Sequence, residues 1–230
     1  MTERRKDAPT GAAHPGPAGS YDRECVRCPR LAQFLSQTRA RHPDYWARPV
    51  PSFGAAAPAV LIVGLAPGMH GANRTGRPFT GDHAGILLYA TLHEFGLASA
   101  AVATSAADGL KLRNARIVNA VKCVPPGNKP LPEEIHRCNE YLARELAALP
   151  KARVYLALGR VAHEAVLMAK GLRRAAHPFG HGREHPLDGD TVLLDSYHCS
   201  RYNTSTRRLT PEMFRQVVRR ACALAGCTGV

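Results

Sequence analysis

Four short apolar runs limit the folds open to this chain more than any other feature: Val60 to Leu65, Arg116 to Val121, Val154 to Leu158, and Val192 to Leu194 with a continuation toward Tyr197. Each has the length and β-branched content of a strand, and the near-continuous apolar character suits burial on both faces. Helical patterns lie between them. Asp82 can cap a helix over Ala84 to Phe95, Pro132 can open one that runs to Leu149, and Gly159 leads into Val161 to Ala169. Strands alternating with helices require right-handed crossovers, so the expected fold is a single-domain, three-layer α/β/α sandwich around a central, mainly parallel four-stranded sheet. Ligands of such sheets bind beyond the carboxyl ends of the strands. Gly64-Leu65-Ala66-Pro67-Gly68 ends the first strand, Asn119 lies near the end of the second and His198 closes the fourth, so three strand ends converge on one expected pocket.

The remaining chain adds little bulk. Residues 1 to 20 are rich in Pro and Gly and nearly devoid of apolar side chains, which predicts a mobile tail ahead of one domain over 21–230. The stretch from Cys25 to about Ala40 is helix-like, Pro43 to Pro51 is a loop carrying the only tryptophan, Trp46, and a further helix is expected at the C-terminus. The 230 residues carry 31 Lys and Arg against 18 Asp and Glu, a formal net charge of +13. That excess favours a polyanionic partner, since each phosphate neutralised releases condensed counterions. No apolar run approaches the roughly 20 residues that cross a bilayer, and no apolar signal core follows Met1, so a cytoplasmic, monomeric protein is expected.

In that compartment thiols stay reduced, and seven cysteines point to metal ligation or packing rather than disulfides. Cys25 and Cys28 form a C-x2-C pair; Cys123 and Cys138 follow far downstream with fourteen residues between them. On the helix opened by Pro132, Cys138 shares an inward stripe with Ile135, Leu142 and Leu146. Four thiolates suit tetrahedral zinc or a [4Fe–4S] cluster equally by spacing. Cys199, Cys222 and Cys227 are not needed as ligands. The segment from Gly64 to Asp82 is rich in glycine and arginine, with a backbone suited to close approach of a ligand. It has neither the Lys-Ser/Thr ending of a nucleotide P-loop nor the G-x-G-x-x-G order of a dinucleotide fold.

Cys25-x2-Cys28-Pro29-Arg30-Leu31, the Gly64 to Asp82 segment, Asn119-Ala120-Val121-Lys122-Cys123 with Cys138, and Ser196-Tyr197-His198-Cys199-Ser200-Arg201 together resemble the uracil-DNA glycosylase superfamily, and within it family 5, often called type b. The resemblance covers residues 25 to 201. It implies one [4Fe–4S] cluster on Cys25, Cys28, Cys123 and Cys138, and an enzyme that flips uracil, or another deaminated base such as hypoxanthine or xanthine, out of DNA and hydrolyses its glycosidic bond. Gly64, Ala66, Pro67, Phe79 and Asn119 would then contact the base, Phe79 by stacking and Asn119 through its amide. His198 would bond the departing base, and Asp82 is the nearest carboxylate to hold water, in competition with its role as a helix cap. Arg74, Arg77, Arg201, Tyr202, Arg207 and Arg208 would meet DNA, with Tyr202 or a neighbour filling the gap left by the flipped base. His198-Cys199-Ser200 stands where many relatives have His-Pro-Ser.

A non-catalytic iron–sulfur DNA-binding protein would keep the cysteines and the basic surface but has no need of both His198 and Asn119 at converging strand ends. A zinc-bound RNA-binding module would be colourless. His70, His83, His163, His177, His181 and His185 carry no assigned role at this level.

Overall fold

The computed structural model describes residues 22–227. The expected tail over 1–20 lies outside them.

The core of the sheet follows from the four apolar runs. They form β2 (Val60–Gly64), β3 (Ala115–Asn119), β4 (Val154–Leu158) and β6 (Val192–Ser196), joined in parallel in the order β3-β2-β4-β6. The sheet has six strands rather than the four expected. Two short antiparallel edges, β1 (Phe53–Gly54) on β3 and β5 (Glu184–Pro186) on β6, complete the order β1-β3-β2-β4-β6-β5. Neither has an apolar run: one is two residues long, and the other is Glu-His-Pro, whose proline is tolerated only on an edge.

Alternation along each strand separates two cores. Val60 and Ile62 face one way, toward the cluster built with α3 (His83–Glu94) and α7 (Pro211–Ala225); Leu61 and Val63 face the other, toward α4 (Pro132–Ala147) and α5 (Arg160–Ala169). This is the expected three-layer sandwich. Between α4 and β3 a buried ion pair links the layers: Arg116 Nε donates to Glu145 Oε1 at 2.6 Å, and Ser52 Oγ donates to Glu145 Oε2 at 2.7 Å.

A third apolar cluster lies beside the sheet, where Leu31 and Leu35 of α1 (Pro29–Arg41) pack against Val121, Val124 and Tyr141, with Cys123 and Cys138 among them. Arg30 fastens α1 to α4 through Glu134, with bonds of 2.8 and 2.7 Å, while Glu134 also accepts the Leu131 N–H that opens α4. Two short helices were not anticipated: α2 (Ala72–Thr75) inside the glycine-rich segment and α6 (Arg201–Ser205) in the basic stretch after His198. No described helix is long and apolar enough to cross a membrane.

Candidate active site

The chain leaves β2 at Gly64, a position closed to any larger residue. A Cβ there would stand 2.5 Å from Asn119 Oδ1 and 2.7 Å from the Phe79 ring, so glycine is what lets the end of β3 and the Phe79 loop meet. Asn119 pairs with Gly64 across the sheet. Its side chain is buried, and its Oδ1 has no hydrogen-bond partner in the protein. A buried carbonyl without a donor is costly unless a ligand supplies one.

Phe79 has a φ of +54°, in the left-handed region that an aromatic residue rarely occupies. Such strain costs on the order of 1–3 kcal/mol and persists only where neighbours impose it. The neighbours are visible. Tyr89 donates its hydroxyl to Pro78 O at 2.7 Å, Gly85 leaves room where a Cβ would sit 1.8 Å from the Phe79 carbonyl, and Arg77 is clamped in a two-bond ion pair to Asp108 at 2.8 and 2.6 Å. Arg77 is thus buried in the loop's support, with its guanidinium turned away from solvent.

Asp82 serves as the N-cap of α3, accepting the Gly85 N–H on Oδ1 at 3.0 Å. Its other oxygen lies against Gly68 and Gly71, where a Cβ would approach to 3.3 and 2.5 Å. Burial raises the carboxyl above its usual range, and the backbone N–H groups of Gly85 and Ala84 oppose the shift.

Beyond β6, His198 stacks on Phe79 with ring centroids 5.9 Å apart and 28° between planes. Asn203 of α6 donates to His198 O at 2.8 Å, and a Cβ on Gly159, just past β4, would stand 3.4 Å from the His198 Cβ. Desolvation lowers its pKa to about 4, so the ring is neutral near pH 7.

These groups line one open cleft of about 610 Å³ at the carboxyl ends of the strands. Ala66, Phe79, Asp82, Asn119, His198, Arg201 and Arg208 share it, together with His83, Asn128, Arg160, Phe179 and Tyr197, to which the sequence reading gave no role. Gly64 and Pro67 are buried behind the lining rather than part of it. Arg74 is exposed and bonded to His70 O at 2.8 Å. Arg201, Tyr202, Arg207 and Arg208 are all exposed on and after α6, Tyr202 to 70%, and of these Arg201 and Arg208 line the cleft. Arg208 also stacks its guanidinium over Tyr197 at 4.7 Å.

Cys25, Cys28, Cys123 and Cys138 line a second, separate cavity. All four are free thiols; the Lys122 N–H donates to Cys138 Sγ at 3.3 Å. Burial pushes the Cys28, Cys123 and Cys138 thiols up, Cys138 to about 11, and neighbouring thiols add to the shift. A coordinated metal reverses that balance, since it deprotonates the thiols it binds.

The profile of the Uracil DNA glycosylase superfamily matches residues 51–222. A Type-5 uracil-DNA glycosylase from Thermus thermophilus is 52% identical over 88% of this chain and 94% of its own length. Similar proteins of the same description come from Mycobacterium tuberculosis, 43% identical over 88% of this chain and 78% of its own, and from Pyrobaculum aerophilum, 42% identical over 92% and 96%. The matched span contains the strand-end cleft with Asn119, Phe79 and His198, and by that likeness the chain belongs to the uracil DNA glycosylase superfamily.

Proposed function

We propose that this chain excises uracil from DNA by hydrolysing the bond between base and deoxyribose, leaving an abasic site for repair. The observation that carries the reading is the buried, unpartnered carbonyl of Asn119 in a cleft closed on one side by Phe79 and His198. A flipped uracil supplies what that carbonyl lacks, an imide N–H donor, while the amide's NH2 meets the adjacent base carbonyl. Phe79 holds the ring plane by stacking.

The chemistry follows from where charge develops. As the C1′–N bond breaks, its electron pair leaves on the base. The neutral His198 ring donates to a base carbonyl and stabilises the forming anion. Water held at the Asp82 carboxylate bonds to C1′ on the opposite side, and its proton ends on the base. Cys199 stands where many relatives have proline, and it is fully buried in the core. The exposed Arg201, Arg207 and Arg208 contact phosphates, and Tyr202 is the side chain at the rim best suited to fill the space left by the base. Action as a monomer belongs to the same reading. Hypoxanthine and xanthine are further substrates under this reading.

Cys25, Cys28, Cys123 and Cys138 would hold one [4Fe–4S] cluster. The donor set fits: four thiols on one cavity and no disulfide. Four thiols also suit a single tetrahedral zinc, and a metal assay separates the two. When bound, the cluster supplies a cross-link between the N-terminal segment, β3 and α4.

Two measurements test the proposal. Purified protein incubated with duplexes holding a single uracil should leave alkali-labile sites and release free uracil; intact strands would sink the activity. Anaerobically purified protein should contain iron and sulfide in cluster proportion, and stoichiometric zinc without iron would sink the cofactor.

A further inference from the structure

A buried histidine–carboxylate network lies behind one wall of the cleft. Alternation along β6 sends Asp195 to the same face as Leu193, toward α5, where an apolar residue would be expected. Its carboxylate is fully buried and fully engaged. Oδ1 faces His163 Nδ1 of α5 at 2.7 Å; Oδ2 faces His185 Nε2 of β5 at 3.1 Å and accepts the Gly180 N–H at 3.2 Å. The other nitrogen of His163 lies 2.8 Å from His177 O, so the ring bridges Asp195 and that segment. The backbone of Asp195 adds two bonds to the same segment, from Gly182 N at 2.8 Å and to Arg183 O at 2.9 Å.

The three side chains superficially resemble a metal site. The spacing argues otherwise: 2.7 Å is a hydrogen-bond length, whereas ligand atoms about 2.0–2.1 Å from one ion stand farther apart, at roughly 3.3 Å.

What the network holds is the segment from His177 to Arg183, and that segment faces the cleft. Phe179 lines it, with the Arg160 guanidinium 5.9 Å from its ring and His163 packed on its edge at 5.6 Å. His181 stacks on Tyr197 with centroids 5.0 Å apart and 15° between planes, and its Nδ1 accepts the Tyr197 N–H at 3.1 Å. Tyr197 precedes His198. We propose that Asp195 is a positioning residue for base excision, fixing the Phe179 wall and, through His181 and Tyr197, the placement of the His198 ring.

The inference rests on the proposed glycosylase reading. Loss of the carboxylate charge in Asp195→Asn weakens the grip on both histidines while keeping side-chain size. The single-turnover rate of uracil release should fall about tenfold or more, the scale expected when a catalytic group shifts by a fraction of an ångström. Affinity for a duplex carrying a non-hydrolysable 2′-fluorinated deoxyuridine should change less than about twofold, since the phosphate contacts lie elsewhere. Rates are expressed per active site, titrated with that same duplex, and melting curves are recorded in parallel. A purely structural role predicts a lower melting temperature and fewer active sites, each working at the normal rate.

His181→Phe provides a second test without disturbing the buried carboxylate. It keeps the stacking on Tyr197 and removes the acceptor for its N–H, and the rate per site should fall about threefold or more. Normal rates per site in His181→Phe, or in a folded Asp195→Asn, would overturn the inference. Failure of the unmodified protein to release uracil would instead remove the glycosylase reading, and this inference with it.

Discussion

At the scale of single residues, the proposed mechanism divides the work between His198 and Asp82 by the charge each would meet. The neutral state of His198 has a kinetic consequence. With a pKa near 4, its protonation changes little between pH 5.5 and 8, so the single-turnover rate of uracil release should show no inflection near the ordinary histidine value of 6.5. A descending limb centred there would mean that an imidazolium is the working form. The same depression bears on stability. Between about pH 6.5 and 4 the unfolded chain takes up a proton at this position that the folded chain refuses, so its contribution to stability shrinks as pH falls through that window. His198→Ala should flatten part of the acid loss in melting temperature, and an unchanged acid profile would contradict the burial argument.

Asp82 uses one oxygen to cap α3 and has the other beside Gly68 and Gly71, so its structural and catalytic readings are compatible. Asp82→Asn keeps an oxygen that can accept the Gly85 N–H, so it should change stability little and should slow excision with duplex affinity intact. Poorer leaving groups lean harder on activated water. Hypoxanthine release should therefore lose more than uracil release, and equal losses in single-turnover assays would remove that argument. Both residues were legible because a strand end and a helix start are recognisable from local pattern. The Asp195 network was not: His163 and Asp195 lie 32 positions apart, and an aspartate inside an apolar strand run gives no sign of its partner until α5 packs over it.

Among the elements, the ends of β2 and β3 would set the base-reading geometry under the proposed function. Gly64→Ala would push a methyl group into Asn119 Oδ1 and the Phe79 ring, so uracil release should drop by about tenfold or more while salt-dependent DNA binding persists. A fully active Gly64→Ala protein would show that neither side chain needs its present position. The four central strands could be read in advance because a parallel strand buried on both faces must be nearly continuous in apolar residues. Edge strands β1 and β5 escape that rule, since two residues or a Glu-His-Pro triplet carry no periodicity. The helix α6 escaped for a related reason. Arg201 to Ser205 is polar on every side, and its start is marked only by Ser200, whose hydroxyl caps the Asn203 N–H at 3.4 Å.

For the whole molecule, a net charge of +13 predicts that duplex affinity falls steeply with salt. The basic rim narrows the source. Arg201, Arg207 and Arg208 are exposed beside the cleft, whereas Arg77 is held by Asp108 and is not available to phosphate. Replacing Arg207 and Arg208 together with alanine should lower the slope of log affinity against log salt by about two units, and Arg77→Ala should leave the slope alone while loosening the Phe79 loop. An unchanged slope in the double variant would place the DNA elsewhere. Net charge favours a polyanionic partner from the sequence alone, but which arginines are exposed could be known only once the loops had folded around their counter-ions.

The central claim is that the strand-end cleft releases uracil by stabilising the departing base at His198. It is tested most directly by single-turnover release of uracil from a duplex carrying one lesion, with the unmodified protein and His198→Ala side by side at equal occupancy. The account predicts excision by the first and a rate about 10²–10³-fold lower for the second, the loss expected for one preorganised donor, with duplex affinity little changed. Equal rates, or a loss that disappears once the DNA is saturated with enzyme, would contradict it.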